Sequence, residues 1–199
     1  MIEKYNLEYT NEIPDGHCLF RAFNRIEGGD IKKEPKNHNE IRNQIAKYLK
    51  DNILNNSQKE SKDIRKQIIE SIIHDGNYEI KDEHKIKSIY PERENNGKGG
   101  RKETGKTETV LEIDVDYIIK NKFDKEYIKR YIKEIESSKW GGNLEIAIWS
   151  KMENKCINVF QIRDNKLLLE NKCNENIEDC INLFYHNGNH YGSLHPIKS

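Results

Sequence analysis

The sequence lacks long hydrophobic runs and any excess of charge of one sign. No stretch approaches about 18 consecutive apolar residues, so no segment is expected to cross a membrane. The 34 Lys and Arg residues balance the 34 Asp and Glu residues, which removes the general electrostatic argument for a nucleic-acid partner. Residues 1–6 are polar and charged, unlike the apolar centre of a signal peptide.

Cysteine and proline are also scarce, with four residues of each in 199. Four cysteines are too few for a disulfide scaffold, which predicts a reduced protein of the intracellular, cytoplasmic compartment. The length predicts one domain over residues 1–199. Residues 92–107 contain no apolar side chain, and we expect them to form a flexible exposed loop because nothing offsets the entropy of ordering them.

The periodicity of apolar residues changes along the chain. Spacings of three and four predict helices in the first three quarters, and short apolar runs between Asn, Asp and Gly predict strands near the end. Helices followed by clustered strands indicate an α+β fold, with helices packed on a small sheet. The predicted helices cover about residues 18–27, 39–53, 62–75, 124–136 and 144–152, and the predicted strands residues 156–162, 166–169 and 181–185.

One stretch satisfies the phosphate-loop pattern G-x-x-x-x-G-K-[ST], from Gly100 to Thr107. A phosphate loop needs an apolar strand before it and a helix after it, so that backbone N–H groups converge on the phosphates. Here residues 92–99 are wholly polar, and residues 109–114 have the character of a strand. We therefore reject nucleotide binding at this stretch.

Cys18 and His190 are candidates for the catalytic pair of a thiol protease, and a packed core cysteine and a surface-loop histidine are the alternative interpretations. Cys18 follows the turn Pro14-Asp15-Gly16 and begins a predicted helix, whose N-terminus favours a thiolate. The N–H groups of residues 15–18 lie before the helix and can form an oxyanion hole. His190 lies in a predicted turn after the last strand, a rigid and accessible position that suits a general base.

Four segments together resemble the OTU (ovarian-tumour) family of deubiquitinating cysteine proteases. Residues 15–22, DGHCLFRA, resemble the family's nucleophile motif, and residues 39–48 resemble the helix that follows it. Residues 140–145, WGGNLE, resemble the W-G-G-x-x-E block, and Ile181-Asn182-Leu183 with His190-Tyr191 resembles the closing strand and histidine motif. The resemblance extends from about Tyr9 to Ile197. It implies a papain-like OTU fold with a small, mostly antiparallel sheet between helices.

The resemblance also implies a role for each matching residue. Cys18 is the expected nucleophile, and His190 is the base that deprotonates it and then protonates the leaving amine. Asp15 takes the family's acidic position, where it either caps the turn or shapes the oxyanion loop and the field at the histidine. Gly16 and His17 belong to the oxyanion turn.

The sequence departs from the family pattern at Gly192. The family usually places Asp or Asn there, two residues after the histidine, to orient the imidazole. Asp15, Asn189, or Asn11 or Glu12 of the N-terminal stretch can substitute, or the site can function as a dyad. Loss of the orienting group in an acyl-transfer triad can lower the rate by several orders of magnitude, so a catalytically weak or silent ubiquitin-binding module is the alternative function.

Two further residues of the W-G-G-x-x-E block are candidates for the site. Trp140 is expected either to anchor packing between helices and sheet, which we favour, or to contact substrate. Glu145, in the first turn of its helix, is expected to stabilise the helix dipole and a local hydrogen-bond network.

A zinc site is the competing interpretation of the C-terminal cysteines and histidines. Cys173, Cys180, His186 and His190 supply two thiols and two imidazoles. The His-x3-His interval suits zinc, but six residues between the cysteines exceed the usual two to four. We therefore expect no metal.

The implied reaction is thiol-dependent hydrolysis of isopeptide bonds at the C-terminal Gly of ubiquitin. The partner is ubiquitin, polyubiquitin or a ubiquitin-like modifier, and neither a cofactor, a nucleic acid nor a membrane is expected. The expected state is a monomer. If the source is a bacterium, the target is that of a host and the protein is an effector delivered into the host cytosol.

Overall fold

The computed structural model of the chain describes residues 2–27, 38–55, 59–74, 84–95, 101–178, 180–186 and 188–197. The chain divides into two compact units. The first consists of Met1–Ser57 and Lys129–Ser199, and the second of Gln58–Ile128. The single domain expected from the length stays a prediction.

Most helices have one apolar face, as the spacing of their isoleucines predicts. A short 3-10 turn, Ile2–Tyr5, precedes the first strand, and a π-helical stretch, Leu49–Leu54, extends the second helix. In the described segments, no helix is long and apolar enough to cross a membrane. The α-helices described are α1 (Cys18–Glu27), α2 (His38–Tyr48), α3 (Lys59–His74), α4 (Val115–Lys120), α5 (Asp124–Ser137) and α6 (Asn143–Glu153).

Five strands of the first unit form one mixed sheet in the order β1-β7-β6-β4-β5. Only β4 and β6 run parallel; the other neighbours are antiparallel. The sequence analysis predicted no strand at β1 and placed His190, the first residue of β7, in a turn. The seven strands of the chain that are described are β1 (Leu7–Asn11), β2 (Lys85–Asn95), β3 (Arg101–Ile113), β4 (Cys156–Arg163), β5 (Lys166–Cys173), β6 (Cys180–His186) and β7 (His190–Pro196).

The core of the first unit lies where α1 and α6 pack on β7 and β4. The ring of Phe23 on α1 stacks on that of Trp149 on α6, with 4.3 Å between the centroids. On the strands beneath, Ile157, Leu183 and Ser193 are buried. This packing fixes the position of α1, which begins at Cys18, against β7, which begins at His190.

The second unit combines α3, α4 and the start of α5 with the ribbon of β2 and β3. Its core includes Ile68, Ile72 and Ile118. The guanidinium of Arg65 donates to the carboxylate of Asp124 in a buried ion pair. Such a pair is more costly to break than to replace, because a lone buried charge has no compensation.

The ribbon corrects part of the predicted loop over residues 92–107. Residues 92–95 and 101–107 lie in β2 and β3, which pair antiparallel. Arg93 and Glu103, for example, are register partners in this pairing. Residues 96–100 lie outside the described residues. Backbone pairing between strands needs no apolar side chain, so composition alone did not reveal it. Because β3 continues from Arg101 to Ile113, no helix follows the glycines as a phosphate loop requires.

The expectation of a fully reduced protein is wrong in this structure. Cys156 and Cys180 form a disulfide. They are register partners on the parallel strands β4 and β6, with Cα atoms 4.3 Å apart, and their proximity follows from a pairing that the cysteine count does not reveal. Cys18 and Cys173 are free thiols.

Candidate active site

Cys18 lies at the first turn of α1 with its side chain turned into the protein. Only 7% of the residue is exposed. The backbone N–H of Tyr191 donates to its sulfur, with 3.4 Å between nitrogen and sulfur. Because Tyr191 follows His190 directly in β7, this contact joins the two residues that the sequence analysis selected as nucleophile and base.

Burial raises the pKa of the Cys18 thiol. Hydrogen bonds from the backbone amides of Tyr191 and Leu19 act in the opposite direction but do not compensate. The sequence analysis expected the helix N-terminus to favour the thiolate. In the structure the loss of hydration outweighs that effect, so the resting group is the thiol.

His190 is the first residue of β7, and β1 supplies its polar contacts. Its Nε2 lies 2.9 Å from Oδ1 of Asn11. Burial lowers the pKa of His190, as does the neighbouring His186, while Glu12 raises it. The imidazole is therefore neutral near pH 7, with an amide oxygen at Nε2.

The structure distinguishes the candidates for the group that orients the imidazole of His190. Asn11 contacts the ring through its side chain. Asn189 instead closes the hairpin turn, where its backbone N–H donates to the carbonyl of His186. The carboxylate of Glu12 is bound by Arg25 and acts on the ring through its charge, which raises the pKa of His190. Asn11 is the last residue of β1, a strand that composition did not predict, and Glu12 follows it directly.

Glu12 and Arg25 tie that strand to the nucleophile helix. The carboxylate of Glu12, 2% exposed, receives Nε of Arg25 at 2.6 Å and its second guanidinium nitrogen at 3.1 Å. Such two-point contacts fix orientation as well as distance. Because Arg25 belongs to α1, the bond fixes the position of Asn11 relative to Cys18.

Gly192 occupies a position that has no room for a side chain. A Cβ atom there would lie 2.4 Å from the ring of Tyr9 and 2.5 Å from the backbone oxygen of Thr10. Both distances are far inside van der Waals contact, and the Thr10 oxygen belongs to the backbone of β1. The departure from the family pattern is therefore a steric consequence of how β1 lies against β7.

The turn before Cys18 is held by Asp15. Its carboxylate accepts from the backbone N–H of His17 at 3.0 Å and from Arg21 at 2.6 Å. Partial burial raises the pKa of Asp15, but these hydrogen bonds outweigh it and lower the pKa to about 2. Asp15 thus caps the turn. The sequence analysis had left open whether it acts there or on the field at the histidine.

The same contacts narrow the choice of oxyanion donors. The N–H of Asp15 donates to the carbonyl of Ile13, and that of His17 to the Asp15 side chain. Gly16 has a φ of +83°, a left-handed conformation that glycine adopts without strain. The amides of Gly16 and Cys18 are the remaining candidates in residues 15–18.

Arg42 supports the turn from the buried side, and the sequence analysis missed it. Its guanidinium donates to the carbonyl of Ile135 at 2.9 Å and to Nδ1 of His17 at 2.7 Å, with a longer contact of 3.4 Å to the Gly16 carbonyl. Burial lowers its pKa to about 10 although Glu145 raises it, so Arg42 stays charged near pH 7. The sequence did contain a signal for this role, because Arg42 is the charged residue among the apolar residues on one face of α2.

His17 is fixed by these neighbours as a neutral ring. It stacks on His38 with 4.1 Å between centroids, and burial, followed by the charge of Arg42, lowers its pKa. Since Nδ1 accepts from Arg42, the ring proton is on Nε2. His17 therefore holds the turn in position.

Trp140 differs from expectation, whereas Glu145 agrees with it. Trp140 is 61% exposed and lies over the position of a Cβ on Gly16, so it does not anchor helix–sheet packing. Glu145 is buried and accepts from the amide of Gly142 at 2.7 Å and from the hydroxyl of Tyr131. Burial raises its pKa, and its contacts stabilise the start of α6.

The zinc interpretation lacks its ligand set. Cys180 is in the disulfide with Cys156, so its sulfur is not a free thiolate. Among the residues that the structure describes, no group of three or more His, Cys, Asp and Glu side chains can hold a metal ion. Asn11, at 2.9 Å, is instead the side-chain partner of His190.

A first prediction follows from the closed space at Gly192. Gly192→Asn, which introduces the residue type usual in the family, is expected to displace β1 and lower the free energy of unfolding by about 1–3 kcal/mol or more. Hydrolytic activity is expected to fall because Asn11 moves with β1. Denaturant titration measures the stability. Gly142→Ala is the control, since a Cβ there meets nothing closer than 3.9 Å; equal stability of Gly192→Asn and the parent would contradict the steric explanation.

A second prediction concerns Arg42. Arg42→Lys keeps the charge but removes the planar fork that reaches both Ile135 and His17, and we expect it to cost about 1–3 kcal/mol of stability because buried acceptors lose their donor. Activity is expected to fall about tenfold as the turn loosens. Arg163→Lys, at an exposed pair with Glu170, is the control and should change stability by less than about 0.5 kcal/mol. Unchanged stability and rate in Arg42→Lys would show that the turn does not depend on this fork.

Several solved structures share this fold across nearly the whole chain. The viral OTU domain protease from Farallon virus is 12% identical, with a TM-score of 0.54 over 95% of this chain and 83% of that one. An OTU deubiquitinase from Wolbachia pipientis wMel is 13% identical, with a TM-score of 0.52 over 96% and 90%. An OTU deubiquitinase from Wolbachia pipientis wMel bound to ubiquitin is 15% identical, with a TM-score of 0.51 over 97% of this chain and 98% of that one.

These similarities confirm the α+β OTU fold predicted from the sequence. No curated protein sequence matches the chain significantly. The sequence model described as "OTU-like cysteine protease" matches residues 13–195, from the turn before Cys18 to the end of β7. On that match, the chain belongs to the OTU-like cysteine protease family.

Proposed function

We propose that the protein is a deubiquitinase that hydrolyses isopeptide bonds at the C-terminal Gly of ubiquitin through the thiol of Cys18. The observation that carries the proposal is the convergence of three elements. The start of α1 supplies Cys18, the start of β7 supplies His190, and the end of β1 supplies Asn11, whose Oδ1 lies 2.9 Å from Nε2 of the histidine.

The protonation states indicate how the reaction begins. The Cys18 thiol has a raised pKa and the His190 imidazole a lowered one, so the resting pair is neutral. His190 accepts the thiol proton as the sulfur attacks the carbonyl carbon of the ubiquitin C-terminal Gly. The negative charge that develops on the carbonyl oxygen is stabilised by the amides of Gly16 and Cys18.

The same groups complete the cycle. The imidazolium of His190 gives its proton to the lysine amine as the C–N bond breaks, which leaves a thioester on Cys18. Water then attacks the thioester, with its proton passing to His190. The C–S bond breaks, the ubiquitin carboxylate leaves and the thiol regains its proton. Asn11 accepts from the imidazolium throughout and keeps the ring oriented.

Ubiquitin as substrate is supported by the relatives and by the surface beside the turn. Among the structural relatives, the Wolbachia OTU deubiquitinase has been solved bound to ubiquitin. Ile13 and Trp140 are 52% and 61% exposed, and Trp140 lies over Gly16. Exposed large apolar residues next to a candidate nucleophile suit recognition of a partner protein's chain.

The alternative function, a silent ubiquitin-binding module, depended on the missing side chain at Gly192. Asn11 supplies from β1 the polar contact that position 192 lacks. The geometry therefore supports a working hydrolase more strongly than a module that only binds.

A third prediction tests the proposal directly. A ubiquitin probe with an electrophilic C-terminus is expected to label the protein at Cys18, and the protein is expected to cleave diubiquitin. Cys18→Ala should abolish both, whereas Cys173→Ala, at the other free thiol, should leave both unchanged within about twofold. Binding of ubiquitin without labelling would favour the silent module, and full cleavage by Cys18→Ala would exclude Cys18 as the nucleophile.

A fourth prediction concerns pH. Because protonated His190 cannot accept the thiol proton and its pKa is lowered from 6.5, kcat/KM is expected to fall on the acid side with a midpoint below 6.5. Asn11→Asp places a carboxylate at Nε2, which favours the imidazolium and should move that midpoint to higher pH. Hydrolysis of a fluorogenic ubiquitin C-terminal amide between about pH 4.5 and 9 measures both profiles. A midpoint that moves to lower pH would contradict the assignment of His190 and Asn11.

A further inference from the structure

We propose that Tyr9 is a positioning residue for the catalytic histidine: its hydroxyl holds the amide of Asn11 so that Oδ1 faces His190, and Gly192 provides the space for its ring. The inference rests on the proposed function and adds to it a residue that touches neither substrate nor reacting atoms. Tyr9 precedes Asn11 by two positions in β1, so both side chains lie on the same face of the sheet.

The hydrogen bonds meet at one atom. The Tyr9 hydroxyl donates to Oδ1 of Asn11 at 2.7 Å, and the same oxygen lies 2.9 Å from Nε2 of His190. An amide can turn over and present its NH2 group instead, which donates. Because a phenol hydroxyl is a better donor than acceptor, Tyr9 favours the orientation in which oxygen faces both groups.

That orientation determines where the histidine proton is. With Oδ1 at Nε2, the proton is on Nε2, and Nδ1 carries the lone pair that can accept the Cys18 proton. With the amide turned over, Nε2 becomes the acceptor and the proton moves to Nδ1. Fixing the tautomer is the main contribution of the third residue in acyl-transfer triads, and here Tyr9 reinforces it.

The ring of Tyr9 is fixed on both sides. Its edge meets the face of Phe184 with centroids 5.1 Å apart and an interplanar angle of 71°, a favourable aromatic geometry. Its other neighbour is Gly192, where a Cβ would come within 2.4 Å of the ring. Gly192 pairs with Asn11 across β7 and β1 and with Phe184 across β7 and β6. Because Gly192 has no side chain, the ring of Tyr9 can lie where it contacts both Asn11 and Phe184.

The charges around the hydroxyl keep it a donor. Burial, followed by Glu12 and Cys18, raises the pKa of Tyr9, so the phenol stays protonated over the working pH range. Asn11 is exposed on its outer side, and water can partly replace a lost hydroxyl. We therefore expect a moderate effect of about two- to tenfold, as for one neutral hydrogen bond.

The first experiment is a double-mutant cycle on kcat/KM with a fluorogenic ubiquitin C-terminal amide. Tyr9→Phe retains the ring and removes only the hydroxyl. It should lower kcat/KM about two- to tenfold in the parent and less than about twofold in an Asn11→Ala background. An equal loss in both backgrounds would overturn the proposal, because a purely structural hydroxyl does not act through Asn11. Tyr5→Phe, which removes a hydroxyl bonded to the amide of Leu167 at 3.1 Å, is the matched control and should leave the rate unchanged.

The second experiment needs no substrate. Nitrogen NMR of the His190 ring reports which nitrogen carries the proton. Tyr9→Phe is expected to shift the population from the Nε2–H toward the Nδ1–H tautomer, and Tyr5→Phe is expected to leave it unchanged. An unaltered tautomer ratio in Tyr9→Phe would overturn the positioning role.

The two measurements separate this inference from the proposed function. A parent protein that cleaves no ubiquitin substrate, combined with a tautomer shift in Tyr9→Phe, would refute the deubiquitinase proposal and support the role of Tyr9. A parent protein that cleaves ubiquitin, with equal losses in both backgrounds of the cycle, would support the deubiquitinase and refute the role of Tyr9.

Discussion

The buried ion pair between Glu12 and Arg25 is the contact on which the geometry of the site depends. It joins the residue that follows β1 to the last turn of α1, with the two side chains 1% and 10% exposed. β1 also pairs with β7, and this bond ties its end to α1, which carries Cys18 at its first turn. Removing one partner would leave a buried charge without compensation, at a cost of about 3–5 kcal/mol. The same ion pair therefore contributes both to the stability of the fold and to the position of β1 relative to α1.

A second constraint is the burial of Cys18 and the partial burial of His190. Burial raises the pKa of Cys18 and lowers that of His190, so both groups rest uncharged. In the proposed reaction, an ion pair forms only as the proton moves, and the amides of the turn then stabilise the charge on the carbonyl oxygen. Asp15, Arg42 and His17 keep that turn rigid from both of its sides.

The contact of β1 with β7 explains why a glycine can replace the family's usual Asp or Asn. The backbone of Thr10 and the ring of Tyr9 fill the space above Gly192. A polar group for the histidine must then come from β1 itself, and Asn11 is the register partner of Gly192. The same close approach that excludes one orienting side chain brings in another.

The sequence by itself determined the family, the fold class, the nucleophile candidate and the histidine. Local patterns carry this information: the turn before Cys18, the apolar spacing of the helices, and motifs whose order is recognisable. It also predicted that Glu145 stabilises the start of its helix, whereas for Asp15 it left two roles open. Each of these depends on residues close together in the chain, so neighbouring letters suffice.

Only the tertiary structure decided which polar side chain meets His190, in which direction the pKa values shift and which cysteines pair. Asn11 and His190 are 179 positions apart in the sequence. A short polar strand such as β1 has no pattern that indicates which edge of the sheet it joins. The raised pKa of Cys18 depends on how deeply α1 is covered, which the helix N-terminus alone does not determine. Cys156 and Cys180 meet because β4 and β6 pair in parallel. Each of these properties is set by strand order and packing, which bring together residues whose sequence neighbours show no relation.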